Sequence, residues 1–143
     1  MRALLSSLRF ILGTLSGRDP GWPIEQTTLT LSDGLTLATD VYRPRGRPLG
    51  DILFLHGMTP RGRRDPRQVR AAGVLARDGY RVICPEIPDL SEMRVTSRSL
   101  EHVAGAIGAA FAREDLAAGR PLGLFSVSYS AALCLIAAAR PEL

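Results

Sequence analysis

Three serines alternate at Ser126, Ser128 and Ser130 in the pentapeptide S-V-S-Y-S. An apolar run (Leu122, Leu124, Phe125, Val127) leads into them, and an Ala/Leu-rich helical pattern from Ala131 to Ala139 follows at once. A serine hydroxyl is a weak nucleophile until it is lifted clear of the backbone and handed to a base. A sharp strand-to-helix turn does the lifting, and the helix N-terminus behind it offers N–H groups to a developing oxyanion. In the pattern G-x-S-x-G, glycines flank the nucleophile because neighbouring chain segments leave no room for a Cβ. Here Ser126 and Ser130 hold the glycine places and Ser128 the nucleophile's. Ser128 falls two residues past the last strand-like pair and just before the helical run. Ser130 is the fallback, and a plain strand–loop–helix joint with solvent-facing serines stays open.

The chain around this stretch is of ordinary globular type. Its 143 residues suit one domain with a real core, at 45% hydrophobic and 22% charged residues. All 18 basic residues are arginine, the net charge is +4 and the pI is near 9.8, which permits an anionic partner without identifying one. Cys84 and Cys134 lie in apolar runs without metal or redox spacing. They read as buried free thiols in a reducing, cytoplasmic compartment. His56 and His102 are the only histidines and have no Cys/His cluster around them, so neither a metal nor a cofactor is expected.

The elements that position the serines follow from periodicity. Residues 1–16 form an amphipathic helix with Leu4, Leu5, Leu8, Ile11, Leu12 and Leu15 on one face and Arg2, Ser6, Arg9 and Ser16 elsewhere. It is too short to span a bilayer and lacks the core of a signal peptide. Docking on the domain is the expectation, and a membrane-surface helix with basic flanks is the alternative. Residues 17–24 read as a linker full of helix breakers, and the domain proper as 25–143. Thr27–Ser32 and Leu35–Tyr42 alternate around Asp33-Gly34, a hairpin signal. Asp51–Leu55 is a continuous apolar strand, as in a sheet covered on both faces, and it ends in His56-Gly57-Met58. A helix over Arg67–Asp78, with Val69, Ala72, Leu75 and Ala76 inward, stops at Gly79. The strand Arg81–Cys84 and a helix over Ser97–Leu116 follow, the latter with Leu100, Val103, Ala104, Ile107, Ala110 and Phe111 as its apolar stripe. His102 lies off that stripe and reads as exposed. A hairpin followed by three strand–helix units means an α/β fold, a mostly parallel sheet with helices on both faces.

In this order the chain resembles the N-terminal half of an α/β-hydrolase. The resemblance rests on the hairpin, the buried strand ending in His56-Gly57, the strand ending in Cys84-Pro85-Glu86 and the serine turn, and it covers about Glu25 to Leu143. It implies that Ser128 is the nucleophile and that the backbone N–H groups of Met58 and Tyr129 form the oxyanion hole. His56, Gly57, Ser126 and Ser130 then shape the site, His56 without acting as base. The resemblance also implies an acid and then a histidine after the nucleophile. Only 15 residues follow Ser128, none of them Asp or His, and Glu142 is the one acid. The expectation is therefore a fold incomplete at its C-terminus. Its elbow strand would have a bare outer edge, and the Leu133-Leu135-Ile136 helix an uncovered face.

Three functions are weighed. The first is the N-terminal portion of a serine hydrolase acting on a small acyl substrate (ester, thioester or amide), inactive as this isolated chain. The second is a non-catalytic module that binds or self-associates through the open sheet edge. The third is a peripheral membrane protein held by the first helix; a membrane surface is not the expected partner. The loop Arg61–Arg70, with five arginines around Asp65, reads as solvated and partly paired to Asp65, with attraction of an anionic substrate as the alternative. Nucleic acid is not expected, because the loop has no interleaved aromatics and no reader motif.

Overall fold

The computed structural model describes residues 2–140, of which 2–7 and 9 by backbone alone. Expectations for the side chains of Arg2, Leu4, Leu5, Ser6 and Arg9, and for Glu142, lie outside the described part. The elements in chain order are α1 (Arg2–Leu15), β1 (Glu25–Thr30), β2 (Thr36–Tyr42), β3 (Gly50–Leu55), a 3-10 turn (Gly62–Arg64) and α2 (Pro66–Arg77). Then come β4 (Tyr80–Pro85), the short α3 (Pro88–Ser91), α4 (Ser97–Ala112), β5 (Leu122–Ser126) and α5 (Tyr129–Ala138).

Local chemistry sets the boundaries. At the hairpin, Asp33 Oδ1 accepts from the Leu35 N–H at 2.9 Å and Gly34 takes φ +88°. Asp65 caps α2 by accepting from the Arg67 N–H at 3.0 Å, with Pro66 in the first turn, and Gly79 at φ +107° ends the unit. Thr96 and Ser99 close a capping box on α4.

The sheet order is β1-β2-β4-β3-β5. β1, β2 and β4 pair antiparallel, whereas β4, β3 and β5 are parallel. The period of two divides the core cleanly. Leu53 and Leu55 of β3 and Ile83 of β4 point to the face covered by α4 and α5, where Val103, Ile107, Leu133 and Ala137 meet them. Phe54, Val82 and Cys84 point to the other face, against Ala71, Ala72 and Ala76 of α2. Both cysteines are free and buried. The expected α/β sandwich with helices on both faces is thus what forms. β5 has one strand neighbour among the described residues, and its Leu124 and Phe125 are exposed.

Several details differ from the sequence reading. α4 ends at Ala112, not Leu116, because Arg113 turns extended; Leu116 is then buried from a turn instead of a helix. Phe111 lies exposed at the end of α4, and on α2 Val69 and Leu75 are only partly buried while Ala71 and Val74 are buried. Leu133 is buried, so the uncovered side of α5 consists of Leu135 and Ile136. α1 does dock, but by its other side: Leu8, Ile11, Leu12 and Leu15 are exposed, and Phe10, Gly13 and Thr14 face the body. The segment after it is no free tether. Pro20 and Trp22 press on Gly73 of α2, where a Cβ would meet them at 2.7 and 3.3 Å, and the Trp22 indole donates to the Arg43 carbonyl at 2.8 Å.

Candidate active site

β5 delivers the chain to a reversal and α5 carries it away, and the residue at the bend is Ser128. Its backbone sits at φ 61°, ψ −130°, a region costly for any residue with a Cβ. Ser128 is exposed, and its side chain makes no capping hydrogen bond. Ser130 is the opposite case. It is fully buried, its hydroxyl donates to the Val127 carbonyl at 2.9 Å, and it accepts from the Val127 N–H at 3.2 Å. The Leu55 carbonyl, at the end of β3, lies 3.4 Å from the same hydroxyl. Ser130 therefore ties the bend into a knot and anchors it to the neighbouring strand. Ser126 is half-buried within reach of the Cys134 thiol.

The segment after β3 lies directly against this bend. A Cβ on Gly57 would stand 3.0 Å from the Val127 carbonyl oxygen and 3.3 Å from Ser128 Cβ, so only glycine lets the two segments approach this closely. Met58 follows, half-buried against the core, and Tyr129 opens α5. α5 begins at Tyr129, directly after the bend, and the Ala131 N–H of its first turn donates to the Ser128 carbonyl at 3.0 Å. A cavity of about 440 Å³ opens here, lined by His56, Gly57, Met58, Phe125, Val127 and Ser128. Thr59, Asp65, Arg67 and Gln68 add polar groups to its wall, and Phe10 and Thr14 of α1 close one side.

His56 is wholly buried and both its ring nitrogens are engaged. Nε2 accepts from the Ile87 N–H at 3.0 Å, which leaves the proton on Nδ1, donated to the Gly57 carbonyl at 2.8 Å. Burial lowers its pKa below that of an ordinary imidazole, so the ring is neutral and acts as a brace between β3 and the end of β4.

A charged network supports that brace. Glu86 accepts from the Arg63 N–H and guanidinium at 3.1 and 2.9 Å. Burial alone would raise its pKa, but the hydrogen bonds from Arg63 and Ser91 hold it below the usual carboxylate value. Arg63 and Arg64 reach the fully buried Asp40 at 3.4 and 2.6 Å. Gly62 sits at φ +51°, and a Cβ there would fall 1.9 Å from a Glu86 oxygen, so a substitution would have to displace that carboxylate. Asp65 takes Arg67 as a fork partner, and its carboxyl is held down to about 2, chiefly by that bond. The expected pairing to Asp65 is made by Arg67, and Arg61, Arg64 and Arg67 are exposed, but Arg63 and Arg64 also fasten the loop to Asp40 of β2.

The structure thus brings together Ser126, Ser128, Tyr129 and Ser130 with His56, Gly57 and Met58. His102 stands apart, largely buried instead of exposed, with Nδ1 3.9 Å from the Asp89 carboxylate. Thr59, Gln68, Phe10 and Thr14 were not legible as site residues. Asp65-Pro66, read only as part of the loop, is a helix-start signal, but nothing in sequence links that start to the serine bend.

No family model and no curated protein matches the sequence. Solved structures do. A dienelactone hydrolase from Anabaena variabilis superposes with TM-score 0.67 at 23% identity over 84% of this chain and 59% of its own. A Pyrobaculum calidifontis esterase gives TM-score 0.60 at 18% identity, over 96% of this chain and 45% of its own. An α/β hydrolase from Novosphingobium aromaticivorans gives 0.54 at 27% identity, over 84% and 41%. The chain spans 59%, 45% and 41% of these three, and it carries the fold of the α/β-hydrolase superfamily, to which it is related.

Proposed function

We propose that the chain is the N-terminal portion of a serine hydrolase that forms an acyl-enzyme on Ser128 with a small ester, thioester or amide. The observation that carries this is the backbone of Ser128: a non-glycine residue at φ 61°, exposed, on a strand-to-helix bend. Strain of this kind persists only where the surroundings hold it, and Ser130 and Gly57 do so here. Ser128 Oγ attacks the acyl carbonyl carbon while its proton passes to a base. The Met58 and Tyr129 N–H groups receive the charge that develops on the carbonyl oxygen. Collapse of that intermediate expels the alcohol, thiol or amine with a proton, and water then releases the acid.

The base is not His56, whose nitrogens are both committed. The reading therefore requires a histidine and an orienting acid from outside residues 1–143. A serine without them retains only oxyanion and binding effects. Esterase and hydrolase neighbours support an acyl substrate, and two free buried thiols support a reducing, cytoplasmic compartment. The test is hydrolysis of p-nitrophenyl esters by a form of the protein that includes the completing segment. Ser128→Ala lowers kcat by about 10⁴-fold or more; a loss below about tenfold overturns the assignment.

A second reading is a binding or self-associating module, favoured by the edge of β5 that has no strand neighbour among the described residues and by its exposed Leu124 and Phe125. Sedimentation of the 143-residue chain separates the two: a well-behaved monomer counts against edge pairing.

A further inference from the structure

We propose that the outward face of α1 docks on an anionic lipid surface. A helix whose partner is its own domain turns its apolar side inward; α1 does the reverse. Its inner side holds Phe10, edge-on to the Phe125 ring at 6.1 Å, and Gly13, where a Cβ would lie 3.0 Å from Val74. Arg70 adds a hydrogen bond to the Thr14 carbonyl at 3.4 Å. These contacts fix the rotation of the helix. Leu8, Ile11, Leu12 and Leu15 are left on the outside, 52, 51, 58 and 77% exposed. Their spacing of three, four and seven residues makes one continuous stripe.

Charge selects the occupant. Residues 1–18 contain Arg2, Arg9 and Arg18 and no acidic residue. A second copy would set like charge against like, whereas anionic headgroups complement it. The 14 residues of α1 reach only about 21 Å, short of a hydrocarbon core of about 30 Å, and no helix among the described residues is long and apolar enough to cross a membrane. A basic, amphipathic helix of this size lies in the interface with its apolar stripe immersed. The same helix supplies Phe10 and Thr14 to the wall of the Ser128 cavity, so docking sets that cavity beside the lipid. Vesicle binding needs no turnover, so it stands or falls separately from the chemistry of Ser128.

Co-sedimentation of the 143-residue chain with phosphatidylcholine vesicles, with and without phosphatidylglycerol, at low and high salt, tests this. Expected is binding to the anionic vesicles that weakens with salt and drops more than about tenfold in the double variant Leu12→Glu/Leu15→Glu. Both positions are exposed, so the thermal unfolding of the variant matches the parent. Absence of binding to anionic vesicles overturns the proposal, as does binding that the double variant leaves intact. Self-association that the same variant abolishes, without vesicle binding, overturns it in favour of a second copy.

Discussion

Replacing Ser128 by glycine should make the chain more stable, and replacing it by alanine should not. At φ 61°, ψ −130° a side chain costs about 1–3 kcal/mol, and glycine removes that cost. Glycine also gains freedom in the unfolded chain, which returns about 0.5–1 kcal/mol to the unfolded state. The net gain is about 0.5–2 kcal/mol. Losing the hydroxyl subtracts little, because Ser128 is exposed and its side chain makes no capping bond. Alanine keeps the Cβ and hence the strain, so Ser128→Ala stays within about 0.5 kcal/mol of the parent. An unfolding entropy of about 2.1 cal/mol/K per residue gives roughly 0.3 kcal/mol/K for 143 residues, so the glycine variant melts about 2–7 °C higher. Calorimetry of the parent and both variants reads this directly. A glycine variant that melts at or below the alanine variant refutes the claim that the bend stores strain.

Three further outcomes follow from the surrounding geometry. Gly57→Ala wedges the β3 loop away from the bend, and in a form with the completing segment it slows fluorophosphonate labelling by about 10–100-fold, while thermal stability falls by less than about 1.5 kcal/mol. Gly62→Ala meets both a positive φ and the Glu86 carboxylate, and urea unfolding shows a loss of about 3 kcal/mol or more. The third outcome concerns pH. The folded state lowers the pKa of His56, so the unfolded chain binds that proton more readily; stability is full above about pH 6.5 and declines as pH falls below it. Asp65, held down to about 2, adds stability above its ordinary value of 3.8 that is lost as pH falls towards 2. Urea midpoints across pH show both declines, and His56→Gln flattens the first.

The sheet was legible because its signals are local. Asp33-Gly34 marks a hairpin, and the run Asp51–Leu55 marks a strand buried on both faces; both formed, with the first hairpin strand two residues earlier than read, at Glu25–Thr30. The serine bend was legible for the same reason, as an apolar strand meeting a helix at small residues. What stayed hidden depends on distant partners. Asp40 sits in β2 and is met by Arg64 from 24 residues along the chain, so an arginine-rich loop read as solvated and paired to Asp65 is also tied to the sheet. α4 stops early because Arg113 leaves helical geometry and bonds Thr27 and Asp115. For α1, periodicity revealed an apolar stripe but not which medium the stripe meets. Gly13, small enough to sit on Val74, lets the opposite side dock.

The most direct test of the account is fluorophosphonate labelling of a form that extends past Leu143, followed by peptide mapping. One adduct is expected, at Ser128 itself, with its loss in Ser128→Ala. An adduct that survives that substitution, or that maps to Ser126 or Ser130, contradicts it.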